Sequence, residues 1–294
     1  MTAPTFLIIG DLKAGTTSLH SYVAQHPEVF TPGLKELRFF SFDEGNPYHR
    51  RASAYRVKTT AEYLGHFHSA GNAKAIGEAS PSYLRSPGAA SRIAQLLPNA
   101  KLIVSIRNPA DRLYSLYQMQ LRAAATKLPF DEQLFAADAA WIKGNYYWSE
   151  LNRFFECFAR NQILVVIFDD LAQQPAVMAK QLYRFIGVDD SFEPNLQPQN
   201  TGGIPRNPQL YAAMTYSKDR LKQIGSIPPA VRRLWARIRT QSLRTEKLDP
   251  LLKRKVLEVC ADDIARTASL IQRDLSIWAP DEASKVTRGV PRAS

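Results

Sequence analysis

Cysteine is nearly absent from this 294-residue chain, which contains only Cys157 and Cys260, far apart and each in an apolar, helix-like stretch. That pattern excludes a disulfide framework and predicts two buried free thiols and a reducing compartment. No apolar run is long enough to cross a bilayer. The apolar run near the N-terminus, residues 6–9, has no basic flank and passes into Gly10 instead of a cleavage site, so it reads as a core strand and not a signal peptide. A cytoplasmic location is the expectation. Repeats and low-complexity tracts are missing too, and 45% hydrophobic with 22% charged residues excludes the collagen, mucin and disordered classes.

Negative charge is also in short supply, since 38 Lys and Arg against 27 Asp and Glu leave a formal charge of +11. The excess is concentrated between Arg206 and Lys255, where thirteen basic residues meet only Asp219, Glu246 and Asp249. Such a block suits an anionic substrate, a membrane surface or a nucleic acid, or is simply a solvated helix face. It has no obvious nucleic-acid-reading motif, so no nucleic-acid partner is expected, while peripheral membrane contact stays open.

What the chain does have is an alternation of short apolar runs with helically spaced stretches. Strands are predicted at 6–9, 75–77, 102–106 and 163–168, and helices at 16–25, 88–96, 110–125, 147–160 and 176–186. This order implies an α/β fold with a central parallel sheet flanked by helices in three layers. Ligands on such sheets bind at the carboxyl ends of the strands. A long polar loop is predicted at 191–208, followed by helices at 210–224, 230–239 and 250–276. A single domain over 1–294 is expected, with an α/β core at 5–208 and a helical basic part at 209–280.

The sharpest local signal is Gly10-Asp11-Leu12-Lys13-Ala14-Gly15-Thr16-Thr17-Ser18 at the end of the first strand. Its two glycines, five apart, match the phosphate-cradling turn of P-loop proteins, in which backbone N–H groups and a helix N-terminus face an anion. A nucleotide kinase carries lysine directly after the second glycine; here that position is Thr16 and the lysine is Lys13. The displacement argues against ordinary ATP hydrolysis, although a P-loop kinase or NTPase remains the main rival reading, with a basic nucleic-acid- or membrane-binding protein as the non-enzyme alternative. A second anion site is predicted at the end of the third strand, where Arg107 and, two turns along the helix begun by Pro109, Ser115 can converge on one phosphate.

These two segments, Lys13-Ala14-Gly15-Thr16-Thr17 and Arg107-Asn108-Pro109-Ala110-Asp111-Arg112-Leu113-Tyr114-Ser115, resemble the hallmarks of sulfotransferases that use 3′-phosphoadenosine-5′-phosphosulfate (PAPS). The resemblance covers about residues 5–208, continues through Lys35-Glu36-Leu37-Arg38-Phe39-Phe40 and Gly77-Glu78-Ala79-Ser80-Pro81-Ser82-Tyr83, and is nearest the heparan-sulfate and bacterial branch. It implies a P-loop-type fold, PAPS as co-substrate, adenosine 3′,5′-bisphosphate as product and no metal. By the same resemblance Lys13 stabilises the leaving phosphate and Glu36 is the general base. Donor contacts would come from Lys13, Ala14, Gly15, Thr16, Thr17, Ser18, Arg107, Ser115, Tyr146 and Arg206.

Ala79 follows Glu78 where several glycosaminoglycan enzymes of this branch carry a lysine, and those enzymes have an N-terminal Golgi anchor, whereas this chain starts on its first strand. A cytosolic enzyme sulfating a hydroxyl or amine of a small-molecule, lipid or saccharide acceptor is therefore expected. Glu78 itself reads as a structural anchor, or as a second acid near the acceptor. The five histidines, His20, His26, His49, His66 and His68, read as packing or surface residues, and His66-Phe67-His68 alone makes no metal site.

Overall fold

The computed structural model describes residues 2–42, 57–123, 125, 126, 128–197, 203–207, 211, 238, 242–244 and 246–279. Five short apolar segments, β1 (Phe6–Gly10), β2 (Val29–Phe30), β3 (Ala75–Ala79), β4 (Lys101–Ile106) and β5 (Ile163–Ile167), form a parallel sheet in the order β2-β3-β1-β4-β5. Central β1 is buried on both faces, as a strand between two helical layers must be. Leu7 and Ile9 join Leu102, Val104 and Ile106 under α3 (Ala89–Leu96) and α6 (Trp148–Cys157). Phe6 and Ile8 join Ile103 and Val166 under α1 (Thr16–Ala24) and α8 (Pro175–Ile186). The fold is thus the expected three-layer α/β architecture.

The strand order positions the site. The chain leaves β1 for the β2–β3 side and then crosses back to β4, so the loops after β3, β1 and β4 emerge side by side at one end of the sheet. After β4, α4 (Pro109–Arg122) starts with Pro109 in its first turn, and the Asn108 side chain accepts the N–H groups of Ala110 and Asp111.

Several elements depart from the sequence expectation. β2 has only two residues, and α2 (Thr60–Gly65), α5 (Phe130–Lys143) and α7 (Phe168–Gln173) were not expected. The segment 250–276 is not one helix, because it breaks at Cys260 into α9 (Pro250–Val259) and α10 (Ala261–Ile271). The break lets buried Asp263 of α10 accept the N–H groups of Tyr147 and Trp148 at 2.8 and 2.9 Å, closing the start of α6. Within the expected loop 191–208, β6 (Ile204–Pro205) pairs antiparallel with β7 (Leu243–Arg244). Cys260 is buried as expected, but Cys157 is exposed. The inward stripe of α6 runs through Leu151 and Phe154 to Phe158, which leaves Cys157 on the outer face.

The expected helices 210–224 and 230–239 lie almost wholly outside the described residues. Where the basic block is described, part of its charge is matched within the chain, by Arg244 with Glu246 (2.7 Å), Lys253 with Asp111 (2.8 Å) and Arg254 with Glu258 (2.8 Å). No helix among the described residues is long and apolar enough to cross a membrane.

Candidate active site

β1 runs into the turn that starts α1. Gly10 is required by crowding, since a Cβ there would lie 2.6 Å from that of Leu84. Gly15 is required twice over. Its φ of 89° is left-handed, and a Cβ would come within 2.8 Å of Leu171 and 2.9 Å of Phe168. The turn is fixed from β4 by the hydroxyl of Ser105, which donates to the carbonyl of Ala14. The N-cap residue of α1 is Gly15, which has no side chain to occupy the backbone donors of the first turn.

Beneath the turn lies a buried ionic network. The Asp11 carboxylate, fully buried, meets Arg85 at 2.6 Å and Arg112 at 3.1 Å. Burial alone would push this carboxyl up, but the two guanidinium groups and the N–H of Leu12 hold it below the usual carboxylate range. Arg85 also donates to the carbonyls of Tyr146 (2.8 Å) and Asn145 (3.1 Å), and Arg112 to the Asn145 side chain (2.8 Å). One carboxylate therefore ties the phosphate loop, the turn after β3, helix α4 and the 145–146 segment together.

On the β4 side the site is cationic. Arg107 donates to the carbonyl of Lys13 at 3.3 Å, its guanidinium lies 4.5 Å from the centre of the Phe168 ring, and its backbone is bracketed by the Tyr147 hydroxyl. Arg122, at the end of α4, donates to the carbonyl of Gly203 and so brings the 203–207 segment onto α4. Burial first, then the charges of Arg122 and Arg107, hold the Lys13 ammonium below the ordinary lysine range. Arg107 also feels the charges of Asp111 and Asp169.

On the β3 side acids and bases are mixed. Lys35 donates to the Thr17 hydroxyl at 3.2 Å, tying this segment to the first turn of α1. Its neighbour Glu36 accepts from both Nη2 (2.5 Å) and Nε (3.2 Å) of Arg38. Glu36 and Arg38 have φ of 59° and 56°, left-handed values unusual for such side chains. Phe40 anchors the segment among Tyr63 and Tyr83. Glu78, buried at the end of β3, accepts from Tyr83 and Ser80.

Comparison with known proteins gives the family. Residues 4–194 match the profile of the Sulfotransferase family. The chain belongs to that family. It is 31% identical over 212 residues to the human bifunctional heparan sulfate N-deacetylase/N-sulfotransferase 1 and 29% identical over 206 residues to the mouse type 4 protein. These matches cover 65% and 64% of this chain, but the chain spans only 23% of either relative. The crystal structure of a sulfotransferase from Alicyclobacillus acidocaldarius superposes with a TM-score of 0.71 at 26% identity, covering 95% of this chain and 99% of that one.

The chain brings Lys13, Ala14, Gly15, Thr16, Thr17, Ser18 and Arg107 to adjacent loop ends, with Ser115 half-buried on α4. Glu36 lies beside Lys35 on the other side of the same turn. Tyr146 is held at both ends, its carbonyl by Arg85 and its hydroxyl by the carbonyl of Val259 (3.0 Å). Arg206 is exposed, with its N–H on the carbonyl of Ser242. Sequence reasoning missed Asp11, Arg85 and Arg122, whose partners are remote in the chain, and Lys35 as the link to Thr17. A lysine immediately before the proposed base was the available signal for that link. Of the histidines, half-buried His20 titrates near 4 because of burial and the nearby Lys35 charge. His26 is fixed between the carbonyl of Asp189 and the N–H of Glu28, and His49 lies outside the described residues. Among the described residues no group of three or more His, Cys, Asp and Glu could hold a metal ion.

Proposed function

We propose that the protein transfers the sulfuryl group of PAPS to a hydroxyl or amine, with Glu36 as general base. The observation that carries this reading is the crowding of Lys13, Arg107 and Arg122 around a glycine turn, with Glu36 tied to the same turn through Lys35 and Thr17. A donor with phosphates at both ends fits this distribution of charge. PAPS supplies the sulfuryl group and departs as adenosine 3′,5′-bisphosphate. The loop residues Ala14 to Ser18 hold its 5′ end, while Arg107 and Ser115, with Arg206 beyond them, hold its 3′-phosphate; Tyr146 flanks the adenine. Lys13 neutralises charge developing on the leaving phosphate, the kind of preorganised stabilisation that needs no rearrangement during reaction. Glu36 takes the acceptor's proton. Its bond to Arg38 must loosen for this, and both side chains are partly exposed.

The acceptor is a small-molecule, lipid or saccharide nucleophile, and the relatives named as heparan sulfate N-sulfotransferases favour testing amino sugars first. The whole chain acts as one cytoplasmic domain in this reading. The test combines thermal shift with labelled PAPS and a panel of an amino sugar, an alcohol and a phenol. Adenosine 3′,5′-bisphosphate should raise the melting temperature well beyond ATP with Mg²⁺, and label should pass to at least one acceptor. Equal stabilisation by ATP with no label transferred would overturn the proposal.

A further inference from the structure

The chemistry above makes no use of Glu78, although it is only 2% exposed and lies at the end of β3 beside the Glu36 segment. Its Oε1 accepts from the Tyr83 hydroxyl at 2.6 Å and its Oε2 from the Ser80 hydroxyl at 2.8 Å. The Ser80 oxygen in turn accepts the N–H of Arg38 at 3.0 Å, and the next carbonyl, of Ala79, accepts the N–H of Glu36 at 3.2 Å. Both left-handed residues are thus pinned to the end of β3. Non-glycine residues keep such a conformation only where their surroundings hold it, and it clusters at functional sites. From α2, the buried Tyr63 hydroxyl faces the same carboxyl electrostatically and makes no hydrogen bond among the described residues.

We propose that Glu78 is a positioning residue for Glu36, holding the left-handed Glu36–Arg38 turn on β3 through Ser80 and coupling its own proton to the charge on Glu36. The inference rests on Glu36 being the base. Geometry supplies the mechanical half, the Glu78–Ser80–Arg38 chain of bonds. The electrostatic half follows from the groups that face Glu78: Tyr83 and Ser80 from the turn after β3, Tyr63 from α2, and Glu36, itself paired with Arg38. Burial pushes the Glu78 carboxyl up to about 7 against the pull of Tyr83 and Ser80, and the charge of Glu36 pushes it further up.

The test follows the carboxyl carbons of ¹³C-glutamate-labelled full-length protein through a pH titration, with the Glu78 signal identified by its loss in Glu78→Gln. Glu36→Gln should move the Glu78 midpoint down. If Glu78→Gln does not fold, Tyr83→Phe identifies the signal by raising its midpoint. In parallel, release of adenosine 3′,5′-bisphosphate from PAPS with the acceptor panel is followed in Ser80→Ala, where kcat should fall roughly tenfold with KM for PAPS unchanged. An unmoved Glu78 midpoint in a Glu36→Gln protein that has lost turnover overturns this inference alone. Full turnover in Glu36→Gln overturns the base assignment and the inference with it.

Discussion

The two sides of the phosphate turn differ in how their charges are arranged. Toward β4, Lys13, Arg107 and Arg122 lie close enough to act on one another; toward β3, the acids Glu36 and Glu78 act on one another with Lys35 and Arg38 beside Glu36. The acids are held by partners within the chain, Arg38 for Glu36 and Tyr83 with Ser80 for Glu78. Across the turn Arg107 feels the charges of Asp111 and Asp169, and Lys13 is held below the ordinary lysine range by burial and by Arg122 and Arg107. The parallel sheet does the sorting, because its strand order places β3 and β4 on either side of β1. A donor that is polyanionic and an acceptor that must lose a proton suit the two sides in turn.

The most severe way to break this comparison is to neutralise one side at a time. Glu36→Gln should lower turnover by about 10²- to 10⁴-fold while leaving adenosine 3′,5′-bisphosphate binding intact by calorimetry. Lys13→Ala should lower turnover by about 10²- to 10³-fold, and it should weaken that binding as well. Equal loss of nucleotide binding in both variants would erase the division between the sides.

Asp11→Ala tests whether the platform under both sides is structural. Removing the carboxylate strands two buried guanidinium groups, so urea unfolding should show a loss of about 3–5 kcal/mol. A loss under 1 kcal/mol would show that Arg85 and Arg112 need no counter-charge.

The smallest expected effects are in the pH dependence of stability, where Glu78 and His20 should slope in opposite directions. Glu78 titrates at about 7 in the folded chain and at 4.5 when unperturbed. The folded state therefore binds more protons in that interval, and the stability from this group is complete below about 4.5 and lost as pH rises through 7. Glu78→Gln should remove that slope. His20 is depressed from 6.5 to about 4, so its contribution is present above 6.5 and lost as pH falls through 4. His20→Gln should flatten the acid side only, as read by urea midpoints from pH 4 to 8.

The legible parts of the site were those whose logic is local. Gly10, Lys13, Gly15 and Thr16 lie within one turn, and Arg107 and Pro109 stand at the junction of β4 and α4, so spacing alone indicated an anion-binding loop and a helix start. β2 was not legible because two residues carry no periodicity, and its strand character comes from pairing with β3. Arg122 reads as an ordinary cation in the last turn of a helix until the fold sets it beside Lys13. The break at Cys260 was hidden for a similar reason, since the apolar spacing of 250–276 continues through it, and the partners of Asp263 just beyond it lie at the start of α6, remote in the chain.

By itself the sequence determined the alternation of buried strands with amphipathic helices, the glycine turn with its displaced lysine, and the family those motifs resemble. These depend on near neighbours and on periodicity, which are written along the chain. Only the tertiary structure decided which charges meet: Asp11 with Arg85 and Arg112, Lys35 with Thr17, Glu78 with the turn that carries Glu36. The reason is physical. A buried charge needs a partner within a few ångströms, and a parallel sheet brings together strand ends that are dozens of residues apart in sequence.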